Sequence, residues 1–312
     1  MHNRDLCIED KRIMLYNDPR KLLLWFAQER DLVRAAKNTD QPKPWTKDVF
    51  LQRYWTLNSF KRYDDQSVMY QNWIDVEAPL PTILFNSLVW RLLNRKECLT
   101  GIPFVYDFSK GSEAQKYLLK YLQDRKDRGL VIFSAAFQMS NLRSGKEKHI
   151  VLFHTLQNVW ERIDNILEQL HTYPDIKSMV GILSGTVPML GPTMAYEIIE
   201  DLVAHGLIEE PENFQTWAYI GRGAIDGLNY IMNRKKGTRI SADVGQRELA
   251  SLRNYIKAHW EIQATPCGLV DVLHMLWAFG AFAKDVKGMT HKSKRRYYGS
   301  APTTVDRTLL GG

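Results

Sequence analysis

Residues 44–65 read PWTKDVFLQRYWTLNSFKRYDD and set two tryptophans, two tyrosines and two phenylalanines among Lys, Arg and Asp. Aromatic faces can stack on a flat ring, and Asn58 carries both a donor and an acceptor for the edge of such a ring. Trp45 and Trp55 are the candidate stacking surfaces. Lys61 and Arg62 bring positive charge. Asp48, Asp64 and, further upstream, Glu29 bring carboxylates that can take a proton from a reacting group. Arg30 stands beside Glu29 and close to Trp25 and Phe26. The same residue types also suit plainer roles. Tryptophan is more often packed in a core than used as a platform, and Lys61 with Asp64 or Asp65 makes an ordinary helical ion pair.

A second candidate lies at 181–206, where GILSG is followed by VPMLGPTMAYEII and DLVAHG. An apolar residue, a proline, a tight turn at Gly191 and a small-residue helix entry resemble the helix–hairpin–helix of DNA glycosylases. In that element free N–H groups at a helix N-terminus point at a phosphate, so it binds without reading base sequence. The usual hairpin has glycine where Met189 stands, so either the first turn differs or the phosphate grip is altered. A plain helix–turn–helix packing corner fits the segment equally well, with Tyr196 and Glu197 simply packing it. Further on, TWAYIGRGAIDGLNYI (216–231) carries Trp217, Gly221, Arg222, Gly223 and Gly227. Its glycines predict a tight turn and then close approach of something large to a helix.

The elements that must position these residues read as helices. Asp18 and Pro19 form an N-cap and first-turn pair for a helix over 19–37, with Leu22, Trp25, Phe26, Leu32 and Val33 as its apolar stripe. Thr46 is the expected cap of a helix over 47–62, on which Asn58, Lys61, Arg62 and Asp65 share a face. Helical patterns recur at 80–97, 111–126, 129–140, 150–170, 193–205, 223–234, 242–260 and 268–284. Strand-like alternation is scarce. The expected fold is all-α, a two-lobed helical domain with a hairpin element, DNA-glycosylase-like. Residues 1–18 form an N-terminal tail, 19–287 a single helical domain, and 288–312 a basic, loosely ordered tail.

Composition narrows the function. The 312 residues are 45% apolar, with 42 Lys and Arg against 35 Asp and Glu, a net charge of +7. A mild basic excess suits a polyanionic partner. The three cysteines are scattered and form no CxxC, so neither a zinc site nor a disulfide framework is expected, and a reducing cytoplasm fits. No signal-peptide core and no membrane-length apolar run is present. Nucleotide-binding glycine loops, HExxH and GxSxG are also missing.

Several motifs taken together are similar to the α-glutamyl/putrescinyl thymine pyrophosphorylase family of phage amino-acid:DNA transferases, a module also found as the helical domain of 5-hydroxymethyluracil DNA kinases. They are Glu29-Arg30; Pro44, Trp45, Thr46 and Asp48; Asn58, Phe60, Lys61 and Asp64; Gly191, Pro192, Met194, Ala195, Tyr196, Glu197 and Ile198; and Thr216, Trp217, Ala218, Gly221, Gly223, Ala224, Gly227 and Leu228. The resemblance spans roughly 20–285. Departures accompany it. Lys61 replaces an arginine and loses its fork geometry, and Arg222 replaces a proline. In VLHMLWAFGAF (272–282), His274 and Leu276 are kept, while Trp277, Ala278 and Ala281 stand where Cys, Glu and Lys would be.

The resemblance implies an enzyme of DNA hypermodification. It displaces pyrophosphate from 5-(pyrophosphoryloxymethyl)uracil in double-stranded DNA with an amino acid or polyamine, after a DNA kinase has acted. The setting is cytoplasmic, the host's if the chain is phage-encoded, with no membrane partner. Catalytic roles fall to Glu29, Asp48, Asp64 and Lys61. Substrate and DNA binding fall to Arg30, Trp45, Asn58, Arg62, Gly191, Tyr196, Trp217, Gly221, Arg222 and Gly223. No metal ligand set is assigned and no cofactor is required, although a divalent metal can bridge carboxylate and pyrophosphate. The alternatives are a non-catalytic DNA-binding, base-flipping module that partners a DNA kinase, and a DNA glycosylase.

Overall fold

The computed structural model describes residues 18–39, 41–53, 58–133, 147–260 and 267–286. Among them the chain is all-α, as expected, and no strand is present. In chain order the helices are α1 (Pro19–Asn38), α2 (Val49–Arg53), α3 (Asp65–Trp73), α4 (Leu80–Leu93), α5 (Lys96–Leu99), α6 (Glu113–Asp127), α7 (Lys148–Glu161), α8 (Ile163–Thr172), α9 (Ile176–Thr186), α10 (Pro192–Ala204), α11 (Arg222–Ile231), α12 (Ala242–His259) and α13 (Leu269–Val286). A 3-10 turn spans Lys61–Tyr63. The chain divides into two compact units, Met1–Asp64 with Ile220–Gly312, and Asp65–Tyr219. Trp55, residues 1–17 of the N-terminal tail and the basic tail from 288 lie outside the described residues.

In the first unit α1 starts as its sequence predicts. Asp18 Oδ1 accepts from the N–H groups of Arg20 and Lys21 at 3.2 and 3.3 Å, and Pro19 needs no partner there. The inner face of α1 meets α13 through aromatic rings. Phe26 stacks on Phe282 at 4.7 Å between centroids and meets Phe279 edge-on at 5.8 Å. Burying each such ring stabilises the unit by about 2 kcal/mol.

The expected helix over 47–62 is not continuous. Thr46 does not cap it; its Oγ1 accepts from Asp48 N–H at 3.1 Å, and Asp48 Oδ1 accepts from Leu51 N–H at 2.8 Å, so Asp48 is the cap of the short α2. Residues 58–60 are non-helical because their polar side chains take backbone partners of their own. Asn58 Nδ2 donates to Tyr63 O, and Ser59 Oγ donates to Ala27 O at 2.7 Å. The expected shared face of Asn58, Lys61, Arg62 and Asp65 therefore does not form: the first and second are buried, the third and fourth exposed.

In the second unit α4 is buried almost all round, which marks a core helix. Helices α7, α8 and α10 pack around it. The expected helix over 150–170 is split at Arg162 into α7 and α8. Of the expected helix over 129–140, residues 129–133 are non-helical and the rest falls outside the described residues.

Candidate functional site

The first unit holds a cluster of buried polar side chains around the 58–64 turn: Arg30 is 1% exposed, Lys61 6% and Asp64 3%. Leaving charged groups out of water is unfavourable unless they are held by partners. Arg30 Nη2 donates to Asn58 Oδ1 at 3.4 Å, and Asn58 passes the connection on to Tyr63 O. Asn58 thus latches α1 to the turn with one acceptor and one donor, keeping one of each in reserve.

Asp271, in the first turn of α13, fixes the same turn from the other side. Its Oδ1 accepts from Lys61 N–H at 3.0 Å and its Oδ2 from Gly268 N–H at 2.9 Å. Burial pushes its carboxyl above the usual carboxylate range, against the lowering effect of those two N–H groups and of the Arg62 and Lys61 charges. One and two turns further along α13 come His274, which is buried, and half-buried Trp277, with ring centroids 5.2 Å apart.

Trp277 lies over the start of α11. A Cβ on Gly223 would stand 2.9 Å from Trp277 Cδ1, and one on Gly227 would stand 2.6 Å from Leu276 O. The large object that Gly223 and Gly227 admit is α13, through the Trp277 indole at the first and the Leu276 backbone at the second. Gly221 is the N-cap of α11 and Arg222, its first residue, is exposed.

Glu29, on α1, is half-buried and its Oε2 accepts from Thr46 Oγ1 at 2.9 Å. Trp45 is half-buried; its indole N–H donates to Gln41 O at 2.8 Å, and Lys43 Nζ lies 4.9 Å from its ring centroid.

Gly191, Tyr196 and Trp217 belong to the second unit. There α9 and α10 flank a turn in which Met189 has φ +71°, the left-handed conformation that favours glycine. The turn therefore keeps the glycine-like backbone at that position despite its side chain, which accepts from Thr155 Oγ1 through sulfur at 3.5 Å. Gly191 caps α10 and Pro192 opens it. Tyr196, buried, meets the ring of Trp217 at 6.0 Å. Behind them Arg91 of α4 holds Glu197 and Asp201 of α10, with Nη1 and Nη2 each 2.5 Å from a carboxylate oxygen. Burial works against the Arg91 charge, and the two carboxylates overcome it, so its pKa lies above the ordinary value.

Sequence reasoning missed Asp271, Arg34 and Tyr63 as parts of the first-unit cluster. An acid in the first turn of an apolar helix reads only as a complement to the helix dipole, and no local pattern announces its partner. Among the described residues, no group of three or more His, Cys, Asp and Glu is placed to hold a metal ion. None of the described helices is long and apolar enough to cross a membrane.

Fold and cluster together define an all-helical domain with a polar centre in its first unit. Residues 19–278 match the 5-hmdU DNA kinase helical domain, and the chain belongs to that family. Neither the curated proteins nor the solved structures offer a match.

Proposed function

We propose that this chain is a DNA hypermodification enzyme that displaces pyrophosphate from 5-(pyrophosphoryloxymethyl)uracil in DNA with an amine, either an amino acid or a polyamine. The observation that carries the reading is the buried cluster of Arg30, Asn58, Lys61, Asp64 and Asp271, which lies inside the span matched by a family named for a kinase of 5-hmdU DNA. In the reaction the amine nitrogen bonds to the exocyclic methylene carbon and the carbon–oxygen bond to pyrophosphate breaks. The amine proton passes to a carboxylate.

Chemistry on a base in duplex DNA requires the nucleotide to leave the stack. Trp45 supplies a face for it and Asn58 holds the turn that receives it. Lys61 answers the charge that grows on the leaving oxygen. Asp64 takes the proton, with Glu29 as the second candidate, because an ammonium is not a nucleophile. In the second unit, the α9–α10 hairpin offers backbone N–H groups to a DNA phosphate. The test is mass spectrometry of nucleosides from pyrophosphorylated hydroxymethyluracil DNA after incubation with the protein and a panel of amines. An aminated thymine is expected; unchanged DNA in every arm removes the reading.

A second reading is a non-catalytic DNA-binding module that works beside a kinase. The side chains of Trp277 and Ala278 favour it, since they put an aromatic ring and a methyl group into a stretch where the resemblance to the transferase family implies Cys and Glu. Duplex binding without amine transfer would decide for it.

A further inference from the structure

Tyr63 carries two guanidinium groups. Arg34, one helical turn beyond Arg30 on α1, lies 4.0 Å from the ring centroid, and Arg62 lies 4.7 Å from it. Both fall within the range in which an aromatic ring holds a cation. Stacking occupies the flat face of a guanidinium and leaves its edge of N–H donors for another partner. Arg34 gives its Nε–H to Asp31 Oδ1 at 2.7 Å, which leaves its two Nη groups. Arg62 is exposed. The platform itself is fixed, because Tyr63 O accepts from Asn58 and the Tyr63 ring meets Phe60 edge-on at 6.1 Å.

Two cations on one ring repel each other. Arg34 is paired with Asp31, and Arg62 interacts electrostatically with buried Asp271. The edge of each guanidinium is a fork of donors, and a phosphate or pyrophosphate, with its several oxygens, is the group whose geometry suits such forks. We propose that Arg34 and Arg62, carried on Tyr63, form a subsite for a phosphate oxyanion. The phosphate has two possible sources. One is the pyrophosphate leaving group, an assignment that rests on the proposed transfer reaction. The other is a backbone phosphate of the DNA strand, which does not depend on that reaction.

The experiment measures inorganic pyrophosphate binding by calorimetry and unmodified duplex binding by fluorescence anisotropy. It uses the full chain and the variants Arg34→Gln, Arg62→Gln and Tyr63→Leu, with thermal melting as the control for folding. Each glutamine variant should weaken phosphate binding by about tenfold or more, as expected for a lost charged hydrogen bond. Tyr63→Leu should weaken it too, although it changes no charge. A loss confined to pyrophosphate assigns the leaving group, and a loss confined to duplex assigns the strand; either supports the subsite. Parental affinity for both ligands in the glutamine variants overturns it, as does a folded Tyr63→Leu that binds like the parent. If Tyr63→Leu unfolds, Arg62→Gln still decides, because that side chain is exposed. Arginine-dependent pyrophosphate binding by a protein that transfers no amine would sink the transfer reaction and keep the subsite. Amine transfer by a protein whose glutamine variants keep parental affinity for both pyrophosphate and duplex would do the reverse.

Discussion

The backbone N–H of Lys61 donates to Asp271 Oδ1 at 3.0 Å across 210 positions of sequence. The contact ties the 58–64 turn to the first turn of α13 through a buried carboxylate. Because the folded chain holds the Asp271 proton more tightly than the unfolded chain does, ionisation disfavours the fold. The stability linked to the neutral carboxyl is full below the unfolded pKa and is lost as pH rises through the raised folded value. Asp271→Asn should flatten that fall in urea denaturation curves collected across the acidic range. It should also cost about 1–3 kcal/mol at the acid end, since an amide cannot accept from both Gly268 and Lys61. Curves for parent and variant that run parallel would show that Asp271 does not titrate in this way.

Lys61→Ala should lower the single-turnover rate on pyrophosphorylated DNA by a few hundredfold, the loss of about 3 kcal/mol of transition-state stabilisation. Asp64→Asn keeps shape, removes the proposed proton acceptor and should also slow turnover while the protein stays folded. Lys61 and Asp64 are both buried, so a purely structural role would instead cost stability and leave the rates of the folded variants alone. Near-parental rates for both variants would move the reaction away from the 58–64 turn.

Met189 sits at positive φ in the hairpin turn. Met189→Val places a β-branched side chain in that conformation and should destabilise by about 1–2 kcal/mol. Met189→Gly relieves the strain but loses the side chain's contacts, so its melting temperature should stay close to the parent's. A valine variant as stable as the glycine variant would argue against the left-handed turn.

Arg91→Met should be among the most damaging single changes in the second unit. It leaves Glu197 and Asp201 buried without their shared cation, which typically costs about 3–5 kcal/mol. Chemical denaturation reads this directly. A loss under about 1 kcal/mol, the size of a surface pair, would mean that the two carboxylates are well solvated.

Gly227→Ala should destabilise by about 1–3 kcal/mol, because its Cβ would meet the Leu276 carbonyl of α13. In an exposed helix interior the same change normally stabilises, so the sign of the melting shift is the test.

The all-α fold was legible because amphipathic spacing and caps are local signals; the Asp18–Pro19 start of α1 is one, and the glycines at 223 and 227 are another. The non-helical stretch at 58–60 was hidden. Asn58 and Ser59 look tolerable in a helix until their distant partners, Arg30 and Ala27, are known. Asp271 was hidden for the same reason. Arg34 and Arg62 were both visible as charges, but nothing in their spacing says that they meet on one tyrosine. Polar clusters of this kind are defined by long-range contacts, and one sequence carries no record of those.

Gly223 and Trp277 have a consequence for how the chain can change over generations. The indole occupies the space where any side chain at 223 would begin. Position 223 cannot change first: a methyl group there has to wait for a smaller residue at 277, and a chain that has already filled 223 cannot acquire the tryptophan afterwards. The order in which the two positions can be replaced is therefore set by sterics.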